Sequence, residues 1–192
     1  MHPYLLLDID GVLIPFPGKD GSVPATHQRH QVTPTGYPEP VDIWLDPSHG
    51  RQLKTLFGTD LVTPVWSTSW QQDAPTMIGP LLGLRPFSYI PLGRPDITTS
   101  HPNGYLWKRD PVEVWLGNRS AIWIDDDFTE ADHAWAADRN TRGVSTLLIQ
   151  PTPYDGLQDA HLQMIHVWAI EQRNTKPPSQ RQQPGLRQDY PC

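Results

Sequence analysis

Tyr4-Leu5-Leu6-Leu7-Asp8-Ile9-Asp10-Gly11-Val12-Leu13 is the stretch that decides the fold. Its apolar start is continuous rather than alternating, and it stops abruptly at an acid. A strand apolar on both faces is buried on both faces, as in a parallel sheet covered by helices. The pattern recurs at residues 61–66, which run into Ser67-Thr68-Ser69, at 121–124, which run into Asp125-Asp126-Asp127, and at 146–149. Residues 87–90 are read as one more strand. Pro64 lies inside the second run and points to a bulge or an edge position, because proline cannot donate to a ladder.

Helical text separates these runs. Asp46 caps a helix with Pro47 at its first position, Leu53, Leu56 and Phe57 on its apolar face and Gly58 as its stop. Residues 71–83 read as a helix broken near Pro80, 110–116 as a short helix closed by Gly117, and 129–142 as a helix stopped by Gly143. Residues 157–172 form the last, with Leu157, His161, Met164, Ile165 and Trp168 on one face. Short strands alternating with helices predict an α/β fold with a parallel sheet. In such sheets ligands bind at the carboxyl ends of the strands, where Asp8, Thr68 and Asp125 fall.

The composition narrows the function. The 192 residues suit one domain, residues 1–173, plus a tail. Lys and Arg total 15 against 21 Asp and Glu, a net charge of -6, which opposes broad backbone-driven binding of nucleic acid. The single cysteine, Cys192, excludes an internal disulfide and a cysteine-ligated zinc site. No run approaches the ~18 apolar residues of a membrane span, and the N-terminus lacks a signal-peptide pattern, so no membrane and a cytoplasmic location are expected.

Proline is in excess, 22 of 192 residues. Residues 15–47 contain Pro15, Pro17, Pro24, Pro34, Pro38, Pro40 and Pro47, which rule out a long helix. They are read as an excursion with a hairpin near 31–32 and 41–44. Residues 174–192 lack apolar periodicity and are expected to be disordered. His27 and His30 lie in the excursion without companion ligands and are read as loop residues. The tryptophans at 66, 70, 107 and 123 are read as packing residues, with nucleobase stacking as the alternative.

Asp8-Ile9-Asp10-Gly11-Val12-Leu13 resembles the first motif of the haloacid dehalogenase (HAD) superfamily. The hydroxyl residues after 65–66, Lys108 ahead of a helix, and Asp125-Asp126 after 122–124 match that superfamily's later motifs in order. Trp66-Ser67-Thr68-Ser69-Trp70 and Trp123-Ile124-Asp125-Asp126 look most like a small branch related to the phosphatase-like domains of RNA-repair proteins. The resemblance covers roughly residues 4–170. It implies a three-layer α/β/α, Rossmann-type fold. Residues 14–45, a proline-rich flap, stand where the superfamily inserts a cap, so no full cap domain is expected.

The chemistry implied follows from charge. A phosphate dianion repels carboxylates, so attack by an aspartate needs a cation between them. Asp8 would be the nucleophile and a Mg2+ ligand, forming an aspartyl-phosphate. Asp10 would act as general acid and then general base, with its backbone carbonyl facing the metal. Thr68, or its neighbour Ser67, would bind a phosphoryl oxygen. Lys108 would neutralise charge in the transition state. Asp125 would complete the metal site, with Asp126 behind it or in its place. The expected function is a Mg2+-dependent phosphomonoesterase on a phosphorylated substrate of unknown identity. The alternatives are a nucleic-acid or nucleotide end phosphatase and a phosphate- or partner-binding module without turnover.

Overall fold

The apolar runs form four parallel strands in the computed structural model, which describes residues 2–93 and 99–175. They are β1 (Tyr4–Leu7), β4 (Thr63–Trp66), β5 (Ala121–Ile124) and β6 (Thr146–Ile149), ordered β4-β1-β5-β6. The register sets Leu7 beside both Trp66 and Ile124, and Ile124 beside Ile149. All four strands therefore end at one level. The ladder extends one residue further, through Ser67 N–H to Leu7 O at 2.9 Å, Asp8 N–H to Ile124 O at 3.2 Å and Asp125 N–H to Ile149 O at 3.2 Å.

Successive side chains point to opposite faces, so an all-apolar strand needs two covers. Leu5, Leu7, Ile122, Ile124 and Ile149 pack with Leu53 and Leu56 of α1 (Pro47–Gly58) and with Ile165 and Ala169 of α5 (Asp159–Thr175). Leu6, Val65, Ala121 and Trp123 pack on the other side with Val112 and Leu116 of α3 (Arg109–Leu116) and with Trp135 of α4 (Glu130–Thr141). This is the three-layer α/β/α sandwich expected from the motifs. Asp46 caps α1 by accepting Ser48 N–H at 2.7 Å, and Thr129 and Asp132 form a reciprocal capping box at α4.

Pro64 resolves as an edge residue. Thr63 N–H bonds Pro3 O and Ser67 N–H bonds Leu7 O, so the alternate positions, 64 and 66, face away from β1. Trp66 uses that side, donating to Ser88 O at 2.9 Å and accepting from Ile90 N–H at 2.8 Å. Pro64 needs no partner there. Those two bonds and one isolated bridge are all that residues 87–90 contribute, so the strand expected there does not form. Pro86 and Pro91 flank the segment and cannot extend a ladder.

The helix expected at 71–83 is a π-helical turn, Ala74–Ile78, running into the short α2 (Gly79–Leu81). The last helix continues to Thr175, two residues into the segment expected to be disordered; the rest of that expectation lies outside the described residues. Met164 is 48% exposed and does not belong to the buried face of α5.

The excursion at 14–45 holds one antiparallel hairpin, β2 (Gln28–Val32) and β3 (Val41–Leu45), and no helix. Ile43 and Leu45 anchor it in the core below α1. Thr35 anchors its tip, with N–H and Oγ1 bonded to Asp73 at 2.7 and 2.8 Å. It is a flap pinned at two points.

Candidate active site

Two of the four strand ends carry an acid into one buried cluster. Asp8 follows β1 and Asp125 follows β5, neighbours by register, and both are at most 2% exposed. Lys108, the residue before α3, reaches between them. Its Nζ donates to Asp8 Oδ2 at 2.5 Å and to Asp125 Oδ2 at 2.8 Å. Lys108 is itself buried, and the two carboxylates raise its pKa against the opposing effect of burial. The ammonium therefore stays charged throughout the physiological range.

Lys108 is held in place from behind. Asp132 in the first turn of α4 accepts Leu106 N–H at 3.1 Å and both the N–H and the hydroxyl of Thr129 at 2.8 Å. One carboxylate thus ties the start of α4 to the segment that delivers the lysine. The capping-box spacing was visible in the sequence, but the link to Leu106 across 26 residues was not.

Asp126 joins the cluster from one residue further on. Ligand oxygens of Asp8, Asp125 and Asp126 all lie within 4.8 Å of one another. Gly11 makes room for this. It has φ +69°, and a Cβ there would fall 2.2 Å from Asp126 Cγ. Gln150, at the end of β6, steadies the acidic loop by donating to Asp126 O at 3.0 Å and Phe128 O at 3.1 Å.

Three carboxylates face one ammonium, and the crowding shows in the pKa values of Asp125 and Asp126. Burial is the largest cause raising Asp125, with Lys108 opposing it. Burial and then Asp8 push Asp126 up to about 6. Asp8 Oδ1 is buried with no hydrogen-bond partner. An orphaned carboxylate oxygen beside two further carboxylates, with oxygen the only donor type, fits a hard divalent cation such as Mg2+.

Asp10 stands apart. Its carboxylate is not one of the three that converge. It accepts Trp70 Nε1–H at 3.0 and 3.1 Å on its two oxygens and Ser69 Oγ–H at 3.1 Å on Oδ2. Burial and Asp8 raise its pKa, while Trp70 leads the opposing causes. Thr68 and Ser67 are both buried. Thr68 Oγ1 accepts Trp70 N–H at 3.4 Å, and Ser67 Oγ has no partner.

Trp66 and Trp123 are at most 1% exposed, so neither is a stacking surface. Trp66 stacks on Phe87, and Trp123 meets Phe128 and Trp135 edge-on. His27 pairs with His49 rather than His30, ring centroids 5.7 Å apart, and burial lowers the pKa of both. That pair ties the flap to the start of α1.

No helix among the described residues is long and apolar enough to cross a membrane. A family model for the HAD domain in Swiss Army Knife RNA repair proteins matches residues 4–162, most of the chain and every residue of the cluster. No curated protein and no solved structure matches it.

Proposed function

Since the chain belongs to the family of HAD domains found in Swiss Army Knife RNA repair proteins, we propose that it is a Mg2+-dependent phosphomonoester hydrolase working through an aspartyl-phosphate on Asp8. Membership alone supports a hydrolase of the HAD type. The finer reading is carried by one observation: a buried Asp8 paired to Lys108 through Oδ2 while Oδ1 lies unpartnered beside Asp125 and Asp126.

Asp8, Asp125 and Asp126 would hold the cation, which screens the phosphate dianion from the carboxylates and lets them approach. An Asp8 oxygen then bonds to phosphorus as the ester P–O bond breaks. The electron pair of that bond goes to the leaving oxygen, which takes the proton of the Asp10 carboxyl. In the second half Asp10, now a carboxylate, takes a proton from water as its oxygen attacks phosphorus. The Asp8–phosphorus bond breaks and inorganic phosphate leaves. Lys108 keeps its charge through both halves and offsets the negative charge on the phosphoryl oxygens. Thr68 donates its hydroxyl to one of them.

The test is hydrolysis of an aryl phosphate with and without Mg2+, in wild type and Asp8→Asn. The expected result is metal-dependent release of phosphate that Asp8→Asn abolishes. Activity that survives Asp8→Asn would falsify the covalent mechanism.

The family's setting in RNA repair proteins favours a second reading, a phosphatase for nucleic-acid or nucleotide ends. Among the described residues no helical cap covers the strand ends, which supports a bulky substrate, and the net charge of -6 opposes a nucleic-acid one. Comparing kcat/KM on 3′- and 5′-phosphorylated oligonucleotides with small phosphate esters separates the two.

A further inference from the structure

Asp10 carries the proton in the reading above, yet nothing on its own strand end fixes its carboxylate. The donors come from the loop after β4, 59 and 60 residues along the chain. Trp70 Nε1–H reaches both oxygens, at 3.0 and 3.1 Å, and Ser69 Oγ–H reaches Oδ2 alone, at 3.1 Å. Oδ2 thus receives two donors and Oδ1 one.

The indole is a rigid donor. Its ring packs against the core below α1. Its backbone is tied at both ends, by Trp70 N–H to Thr68 Oγ1 at 3.4 Å and by Asp73 N–H to Trp70 O at 2.8 Å. An indole nitrogen donates and never accepts, so it cannot take the proton from Asp10 or compete with a leaving group for it. A serine hydroxyl can do both.

We infer that Trp70 is a positioning residue for the acid–base step: its N–H, shared between both oxygens, fixes the rotation of the Asp10 carboxyl that hands the proton to the leaving group. The O–H bond of that carboxyl breaks as an O–H bond forms on the departing oxygen, and the carboxylate left behind keeps both indole contacts. This inference rests on the phosphomonoesterase reading above.

Trp70→Phe keeps an aromatic ring and removes the N–H together with the fused five-membered ring that carries it. The readout is kcat/KM of the full Mg2+-loaded chain on two esters, an alkyl phosphate, whose alkoxide needs the proton to leave, and p-nitrophenyl phosphate, whose phenolate hardly does. This parameter covers steps only through departure of the leaving group, so the later water attack does not mask the effect. General acid–base catalysis contributes about 10²–10⁴-fold. Loss of positioning is expected to lower the alkyl value by roughly tenfold or more and the aryl value by less than about threefold. Ser69→Ala, which removes a bond from an oxygen Trp70 already holds, is expected to change both by less than about threefold. Equal losses on the two esters, or no loss on either, overturn the inference. If Trp70→Phe does not fold, replacing Trp70 by benzothienylalanine, which puts sulfur in place of the N–H at nearly the same volume, makes the same comparison. Wild-type protein that hydrolyses neither ester refutes the phosphomonoesterase reading itself. Active wild type with equal losses in the variant refutes only the role of Trp70.

Discussion

Gly11→Ala is expected to weaken Mg2+ binding without replacing a ligand. The added Cβ would sit 2.2 Å from Asp126 Cγ, 2.3 Å from Oδ2 and 2.6 Å from Oδ1. Ordinary contact begins near 3.4 Å, so the carboxylate must retreat by about 1.2 Å. Mg2+ holds its ligands at about 2.0–2.1 Å in near-ideal geometry, so a retreat of that size takes Asp126 out of the site. Disturbing metal-site partners typically costs about 10–100-fold in affinity. At a Mg2+ concentration of 100 times the wild-type Kd, binding stabilises the fold by about 2.7 kcal/mol. For a chain of this size that raises Tm by roughly 5–11 °C. With affinity down tenfold the same Mg2+ gives about 1.4 kcal/mol, and with 100-fold about 0.4 kcal/mol, a rise of roughly 1–6 °C. The left-handed backbone at φ +69° costs alanine a further ~1–2 kcal/mol. That cost lowers Tm equally with and without metal, so the difference between the two melts isolates the site. The assay is thermal melting in Mg2+ and in chelator, for wild type, Gly11→Ala and Asp126→Asn. The two variants should give the same reduced rise. A full wild-type rise in Gly11→Ala would refute the reasoning and leave Asp8 and Asp125 as the only acidic ligands.

Two further outcomes follow from the same geometry. Asp126 has its pKa raised from 3.8 to about 6 in the metal-free fold. Between those values the folded chain holds a proton that the unfolded chain has released, so metal-free stability falls as pH rises through that window. Mg2+ competes with that proton, so its apparent affinity should rise with pH through about 6; calorimetric titration at pH 5 and 7.5 checks this, and equal affinities contradict it. Thr68→Val should lower kcat/KM by roughly 10–100-fold through loss of a charge-assisted hydrogen bond, while Ser67→Ala, whose Oγ bonds nothing in the fold, should leave stability within about 0.5 kcal/mol of wild type and activity intact. The reverse pattern would make Ser67 the phosphate-binding hydroxyl.

Strands β1, β5 and β6 were legible to the residue because each is an unbroken apolar run ended by a polar residue or a turn. β4 was longer in the sequence than in the sheet: Leu61 and Val62 are as apolar as any strand residue, but they pack as a lead-in and pairing begins at Thr63. Residues 87–90 have strand composition and no strand partner beyond Trp66, a matter of the edge and not of propensity. Asp8, Asp125, Asp126 and Lys108 could be placed by motif order, and they converge, while Asp10 stands apart. What the sequence withheld were bonds across long separations. Trp70 holding Asp10, Asp132 holding Leu106 and His49 meeting His27 depend on which loops the sheet order brings together. The one hint of the first was Trp70, two residues after Thr68, and its sequence reading was packing.

Asp8 follows the strand that comes earliest in chain order among the four, and that strand lies inside the finished sheet. β1 has no partner until β4 and β5 exist. The loop behind Asp10 closes later still, when Leu157 N–H bonds Val12 O at 2.7 Å, an approach so close that a Cβ on Gly156 would meet Val12 O at 2.5 Å. Pairing between distant segments is slow because the intervening chain must be ordered first. During synthesis Asp8 therefore cannot meet its cluster partners until Asp126 has been made, 118 residues later. The acid cluster comes into being only when β5 pairs with β1.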